Sequence, residues 1–175
     1  LRGPLPLADV RSIALQLLAG LNAAHERGVL HLDFKSDNVM LRRAAPTPDA
    51  VIMDFGLSRV LGKESRLKSS DRRQFAGTLS HMAVEQLECR DALGPATDVY
   101  ALGVVLYEML TRNLPFDGDS LAAILLKQLK ERPKPPSRHV PELSAELDRF
   151  VLACLHNNPR LRFADAGAAL AALNA

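Results

Sequence analysis

V-L-H-L-D-F-K-S-D-N-V-M, from Val29 to Met40, is a short polar segment set between apolar runs that read as strands. It places Asp33, Lys35 and Asn38 close together in one loop. A carboxylate can orient or deprotonate a hydroxyl, an ammonium can neutralise a transferring phosphoryl group, and an amide oxygen can bind a hard cation such as Mg²⁺. Phosphoryl transfer needs mainly such positioning and charge stabilisation. A D-x-K-x-x-N pattern also arises in solvated loops, so its meaning depends on what accompanies it.

The stretch resembles the catalytic loop of protein kinases, usually written H-R-D-x-K-x-x-N, with His31, Asp33, Lys35 and Asn38 in register. Leu32 replaces the usual arginine, Phe34 the leucine and Ser36 the proline. Further motifs follow in the family's order. The apolar run Val51 to Met53 leads into Asp54, Phe55 and Gly56, similar to the D-F-G motif, whose aspartate holds Mg²⁺ against the ATP phosphates. Gly77 to Gln86 resembles G-T-P-x-Y-M-A-P-E-Q, matching at Gly77, Thr78, Met82, Ala83, Glu85 and Gln86 and departing at Leu79, His81 and Val84. The resemblance implies that Thr78 bonds the catalytic aspartate and lysine, and Thr78 and Lys35 both favour Ser/Thr over Tyr specificity. It further implies that Asp98, in a D-V-Y-x-L-G match, bonds backbone N–H groups of the catalytic loop, and that Arg162 pairs with Glu85.

The totals agree with an ordinary globular unit. The chain has 175 residues, 47% apolar and 24% charged, enough for one buried core. A net charge of +2 gives no reason to expect nucleic acid or a membrane surface as partner. No apolar run reaches the roughly 18 residues of a spanning helix. No secretory signal is visible. Cys89 and Cys154 lie far apart, form no C-x-x-C and suit a reducing cytosol as small buried hydrophobes. His25 and His31 have no further ligand at a metal-site spacing and read as structural.

Periodicity predicts a helix over Leu7 to His25, with Val10, Ile13, Leu17, Leu21 and Ala24 on one face, Asp9 as its cap and Gly28 at its end. Val39 to Leu41 and Val51 to Met53 form a small hairpin. Leu57 to Phe75, rich in Ser, Arg and Lys, is expected to be a mobile surface loop. The kinase resemblance makes it the activation loop, with Ser65, Ser69, Ser70 and, just beyond it, Thr78 as available hydroxyls. Thr97 to Leu110 is apolar on nearly every side and is expected to be the buried core helix, with Asp98 either capping it or reaching the loop. Helices are also predicted over Ser120 to Lys130, Leu143 to His156 and Ala164 to Leu173, with the proline-rich Pro133 to Pro141 a connecting loop.

The expected fold is mainly α, a protein-kinase-like C-terminal lobe whose small β-hairpin region carries the catalytic and D-F-G loops. Residues 1–175 are expected to be a partial kinase domain with an activation segment over about 54–85, most similar to the eukaryotic-like Ser/Thr kinases of bacteria. Neither the glycine-rich loop nor the strand lysine and helix glutamate of the family's N-terminal lobe is found before Val29, and the chain starts at Leu1; it is expected to be a fragment, with negligible kinase activity alone. The resemblance implies a cytoplasmic kinase acting on protein Ser or Thr hydroxyls, with ATP and Mg²⁺ as cofactors. Asp33 is the expected base and Lys35 the phosphoryl stabiliser and ATP ligand; Asn38 and Asp54 are the expected metal and nucleotide ligands. Leu32 cannot pair with a phosphate on the activation loop as arginine does, so activity is expected not to depend strongly on phosphorylation there. The competing reading is a pseudokinase-like lobe that binds partners, which the substitutions at Leu32, Leu79, His81 and Val84 allow.

Overall fold

The computed structural model describes residues 5–42, 48–55, 59–60, 80–87, 93–118 and 120–175. Gly56, Ser65, Ser69, Ser70, Gly77, Thr78, Leu79 and Cys89, with most of the expected activation segment, lie outside the described residues. What is described is mainly helical, as expected, with two small antiparallel sheets.

Helix α1, Leu7–His25, buries Val10, Ile13, Ala14, Leu17, Leu18 and Leu21 along one face. Asp9 does not cap it. The helix starts at Leu7, as predicted, but Pro6 occupies the cap, its carbonyl accepting from the N–H groups of Asp9 and Val10 at 2.9 and 3.0 Å. Asp9 instead stands in the first turn, where its charge faces the positive end of the helix dipole. Gly28 then turns the chain at φ 69°, a conformation that costs other L-residues about 1–2 kcal/mol.

Strand β1 is Val29–Leu30, β2 is Val39–Arg42 and β3 is Asp49–Ile52. Strands β2 and β3 pair in antiparallel register, Val39 with Ile52 and Met40 with Val51. Because side chains alternate along a strand, Val39, Leu41, Ala50 and Ile52 share the face packed on the core. Met40 and Val51 share the other face, and Met40 is exposed. The expected surface loop after the D-F-G match is not all loop: β4, Arg59–Val60, pairs antiparallel with β1, Val29 opposite Val60. Two residues carry too little periodicity to stand out, and only the pairing with β1 makes them a strand.

After the short helix α2, Val84–Leu87, comes α3, Pro95–Thr111, which is buried on nearly all sides as its composition predicts. It packs against α1, against α5, Ala145–Cys154, and against α6, Ala166–Asn174. The approach to α5 is close: a Cβ on Gly103 would stand 2.7 Å from the Cβ of Cys154. Helix α4, Leu121–Lys130, completes the set. Ser120, Ser144 and Asp165 cap α4, α5 and α6 through their side chains, so the last three helices start later than apolar periodicity alone indicates. The proline-rich connection holds one turn of 3₁₀ helix at Pro136–Arg138. Among the described residues no helix is long and apolar enough to cross a membrane.

Candidate active site

The polar site begins where β1 ends. Asp98, in the first turn of α3, is 0% exposed, and a buried carboxylate must be met by donors. It finds three: the backbone N–H of His31 at 2.8 Å, that of Leu32 at 2.8 Å, and Nε2 of His25 at 3.0 Å. Of the two expectations for Asp98, the loop contact holds; Gly94, in extended conformation, takes the cap position. Nδ1 of His25 accepts from the N–H of Ala166 at 3.3 Å, which leaves Nε2 as the donor to Asp98. His25 therefore ties α1, α3 and α6 together, a structural role.

Held by Asp98, the chain passes through Leu32 at φ 63° and delivers Asp33 on the far side of the turn. The Lys35 ammonium lies 3.0 and 3.3 Å from the two Asp33 carboxylate oxygens. A 3₁₀ turn, Ser36–Asn38, then brings Asn38 back, and its Nδ2 donates to the Asp33 carbonyl at 2.8 Å and lies 3.4 Å from the Asp33 carboxylate. Asp33, Lys35 and Asn38 thus form one hydrogen-bonded cluster. With Nδ2 of Asn38 committed to Asp33, its Oδ1 is the atom able to face a cation.

Asp54 reaches the same region through its neighbour. The Met53 N–H donates to the Asn38 carbonyl at 2.8 Å, and the Met53 carbonyl accepts from Nε2 of His31 at 3.2 Å. Nδ1 of His31 accepts from the N–H of Asp33 at 3.3 Å, so both ring nitrogens of this buried histidine are used in the loop itself. The Phe55 ring lies 4.6 Å from the His31 ring. Asp54 therefore leaves the strand alongside Asn38, with its own backbone at φ 59°. Left-handed backbone at Leu32 and Asp54 is the kind of local strain that gathers at functional sites. One amide oxygen and one carboxylate suit Mg²⁺, which keeps several waters and is held by one or two carboxylates together with substrate phosphates. Consistent with so sparse a donor set, no group of three His, Cys, Asp or Glu side chains arranged for a metal occurs among the described residues.

The segment 80–87 braces the site from the side. Gln86 accepts from the Ala83 N–H at 3.0 Å and donates to the Leu32 carbonyl at 2.9 Å. Glu85 is buried and meets Arg162 in a two-pronged ion pair at 2.6 and 2.9 Å, as the resemblance implied. Arg162 satisfies its remaining donors on the carbonyls of His156, Asn157 and Ala96, and its guanidinium sits 4.9 Å from the centre of the Tyr100 ring.

Two contributors escaped the sequence reading. Gln86 was matched as a motif letter, but its bridging role depends on a fold contact that no spacing reveals. Glu108 on α3 accepts a hydrogen bond from the hydroxyl of Ser36, and Nε2 of His81 lies 3.6 Å from the same carboxylate oxygen. A signal for Glu108 existed: it and Asp98 are the two charged residues of an otherwise apolar helix, and both turn out to hold the loop.

The model of the family described as "Protein kinase domain" matches residues 2–173. The chain is 37% identical over 166 residues to serine/threonine-protein kinase Pkn1 of Myxococcus xanthus, covering 94% of this chain and 24% of that protein. It is 36% identical over 176 residues to serine/threonine-protein kinase pkn3 of the same organism, covering 98% of this chain and 32% of that protein. With serine/threonine-protein kinase PknB of Mycobacterium leprae it shares 34% over 161 residues, covering 92% of this chain and 25% of the relative. The chain therefore spans about a quarter to a third of the length of the curated relatives it matches.

Proposed function

The chain belongs to the protein kinase family, and we propose that residues 1–175 form the C-terminal lobe of a Ser/Thr kinase, transferring the γ-phosphoryl group of ATP to a protein hydroxyl. The observation that supports this reading is the stitching of the Met53 backbone, one residue before Asp54, to His31 and Asn38, which belong to the same loop as Asp33 and Lys35.

In this reading Asp33 orients the substrate hydroxyl and takes its proton as the oxygen attacks the γ-phosphorus and the bond to ADP breaks. Lys35, already beside Asp33, neutralises charge on the moving phosphoryl group. Asn38, through Oδ1, and Asp54 hold Mg²⁺, which when bound neutralises the phosphate oxygens. Met40 and Met53, both exposed, offer an apolar surface next to this polar cluster against which the flat face of a nucleobase can rest. The reaction is proposed to take place in the cytoplasm, where ATP is abundant.

The glycine-rich loop and strand lysine that complete an ATP site in the family are not among these 175 residues, so the chain by itself is proposed to turn over ATP negligibly. The test is transfer of labelled phosphate from ATP to a Ser/Thr peptide by the complete protein carrying this chain. Asp33→Asn is expected to lower kcat about 10²–10⁴-fold with little effect on ATP affinity. Undiminished transfer by that variant would refute the assignment.

A further inference from the structure

Two of the places where this chain departs from the kinase pattern, Ser36 for proline and His81 for tyrosine, meet on one carboxylate. The Ser36 hydroxyl donates to Oε2 of Glu108, and Nε2 of His81 lies 3.6 Å from that oxygen. We propose that Ser36, Glu108 and His81 form a clamp of positioning residues that fixes the loop bearing Asp33 and Lys35 to α3 and couples it to the segment 80–87. The proposal rests on the kinase reading for its effect on catalysis and on contacts alone for its effect on the loop.

The geometry gives the clamp its purpose. Asp98, near the start of α3, grips the loop at His31 and Leu32; Glu108, towards the end of the same helix, grips it at Ser36. Asp33 and Lys35 are strung between the two grips. Segment 80–87 meets the loop directly through Gln86 on the Leu32 carbonyl and indirectly through His81, whose Nε2 lies 3.6 Å from the Glu108 oxygen that holds Ser36. Because α3 is buried on nearly all sides and cannot readily shift, a loop pinned to it at two points has little freedom left. Glu108 suits the role: the His81 contact first, then the Ser36 hydroxyl, hold its carboxyl below the usual glutamate range, so it stays an ionised acceptor. Proline at position 36 could donate nothing to Glu108. In this chain a hydroxyl does by tethering what proline does by stiffness.

The clamp is tested by hydrogen exchange on the complete protein, following the backbone amides of residues 34–38. Ser36→Ala is expected to speed their exchange several-fold while the α3 amides keep wild-type rates, and Ser36→Thr, which keeps the hydroxyl, is expected to restore protection. In the kinase assay Ser36→Ala is expected to lower kcat about 10-fold with KM for ATP unchanged, again restored by Ser36→Thr. With His81→Phe, the double variant is expected to lose less than the product of the single losses. Unchanged exchange in Ser36→Ala, or a loss that Ser36→Thr does not restore, would overturn the clamp. If the wild-type protein transferred no phosphate, the kinase reading would fall and the exchange comparison alone would decide the clamp.

Discussion

At Leu32 the backbone sits at φ 63° while the side chain is 7% exposed, so burial offsets a conformation that costs about 1–2 kcal/mol. Leucine at this position carries no charge with which to receive a phosphate. Replacing Ser65, Ser69 and Ser70 together by alanine is accordingly expected to leave most kinase activity in the complete protein; a collapse, measured as kcat, would show that phosphorylation there matters after all. Glu108 makes a separate pH prediction. Its carboxyl is held below the ordinary value of 4.5, chiefly by His81, so its contribution to stability is complete above that value and fades as the pH falls through the lower folded-state value. Urea midpoints of wild type and Glu108→Gln should therefore differ at neutral pH and converge in acid. Burial pushes the Cys154 thiol up to about 12, and the native protein is expected to resist thiol reagents at that position until it unfolds.

Helix α3 is the element on which the others depend, and its tolerance for change is correspondingly small. Gly103→Ala would drive a methyl group into Cys154, where neither helix backbone can easily yield, and is expected to cost about 1–3 kcal/mol by chemical denaturation. Breaking the buried Glu85–Arg162 pair with Arg162→Met leaves an unpaired carboxylate and is expected to cost about 3–5 kcal/mol. Replacing both partners by apolar residues should cost less, because no charge is then stranded. Elements of this kind were legible in the sequence: α1 and α3 announce themselves by apolar spacing, and Val39 to Leu41 with Val51 to Met53 by two short runs around a polar turn. Strand β4 was not legible, because two residues have no period and acquire their strand only from β1. The helix starts at Ser120, Ser144 and Asp165 were blurred for a related reason: a cap is fixed by its hydrogen bond, which apolar spacing does not register.

For the molecule as a whole, the site resolves into residues that sequence could nominate and residues that only the fold could. Asp33, Lys35, Asn38 and Asp54 stand in motifs with fixed spacing, whereas the grip of Glu108 on Ser36 spans 72 positions of chain and belongs to no local pattern. His25 stands just before the loop in sequence, yet its part as the third donor to Asp98, far along the chain, is likewise visible only in the fold. What unites these contacts is the bringing of two loops together over a buried helical base, where Asn38 and Asp54 are proposed to share a Mg²⁺. Nuclear magnetic resonance of the protein with ATP and Mn²⁺ in place of Mg²⁺ tests that assignment most directly, because a paramagnetic ion broadens the amides nearest to it. Broadening centred on residues 33–38 and 53–55, and abolished by Asp54→Asn, is the expected result. Broadening centred elsewhere, or unchanged in Asp54→Asn, would contradict it.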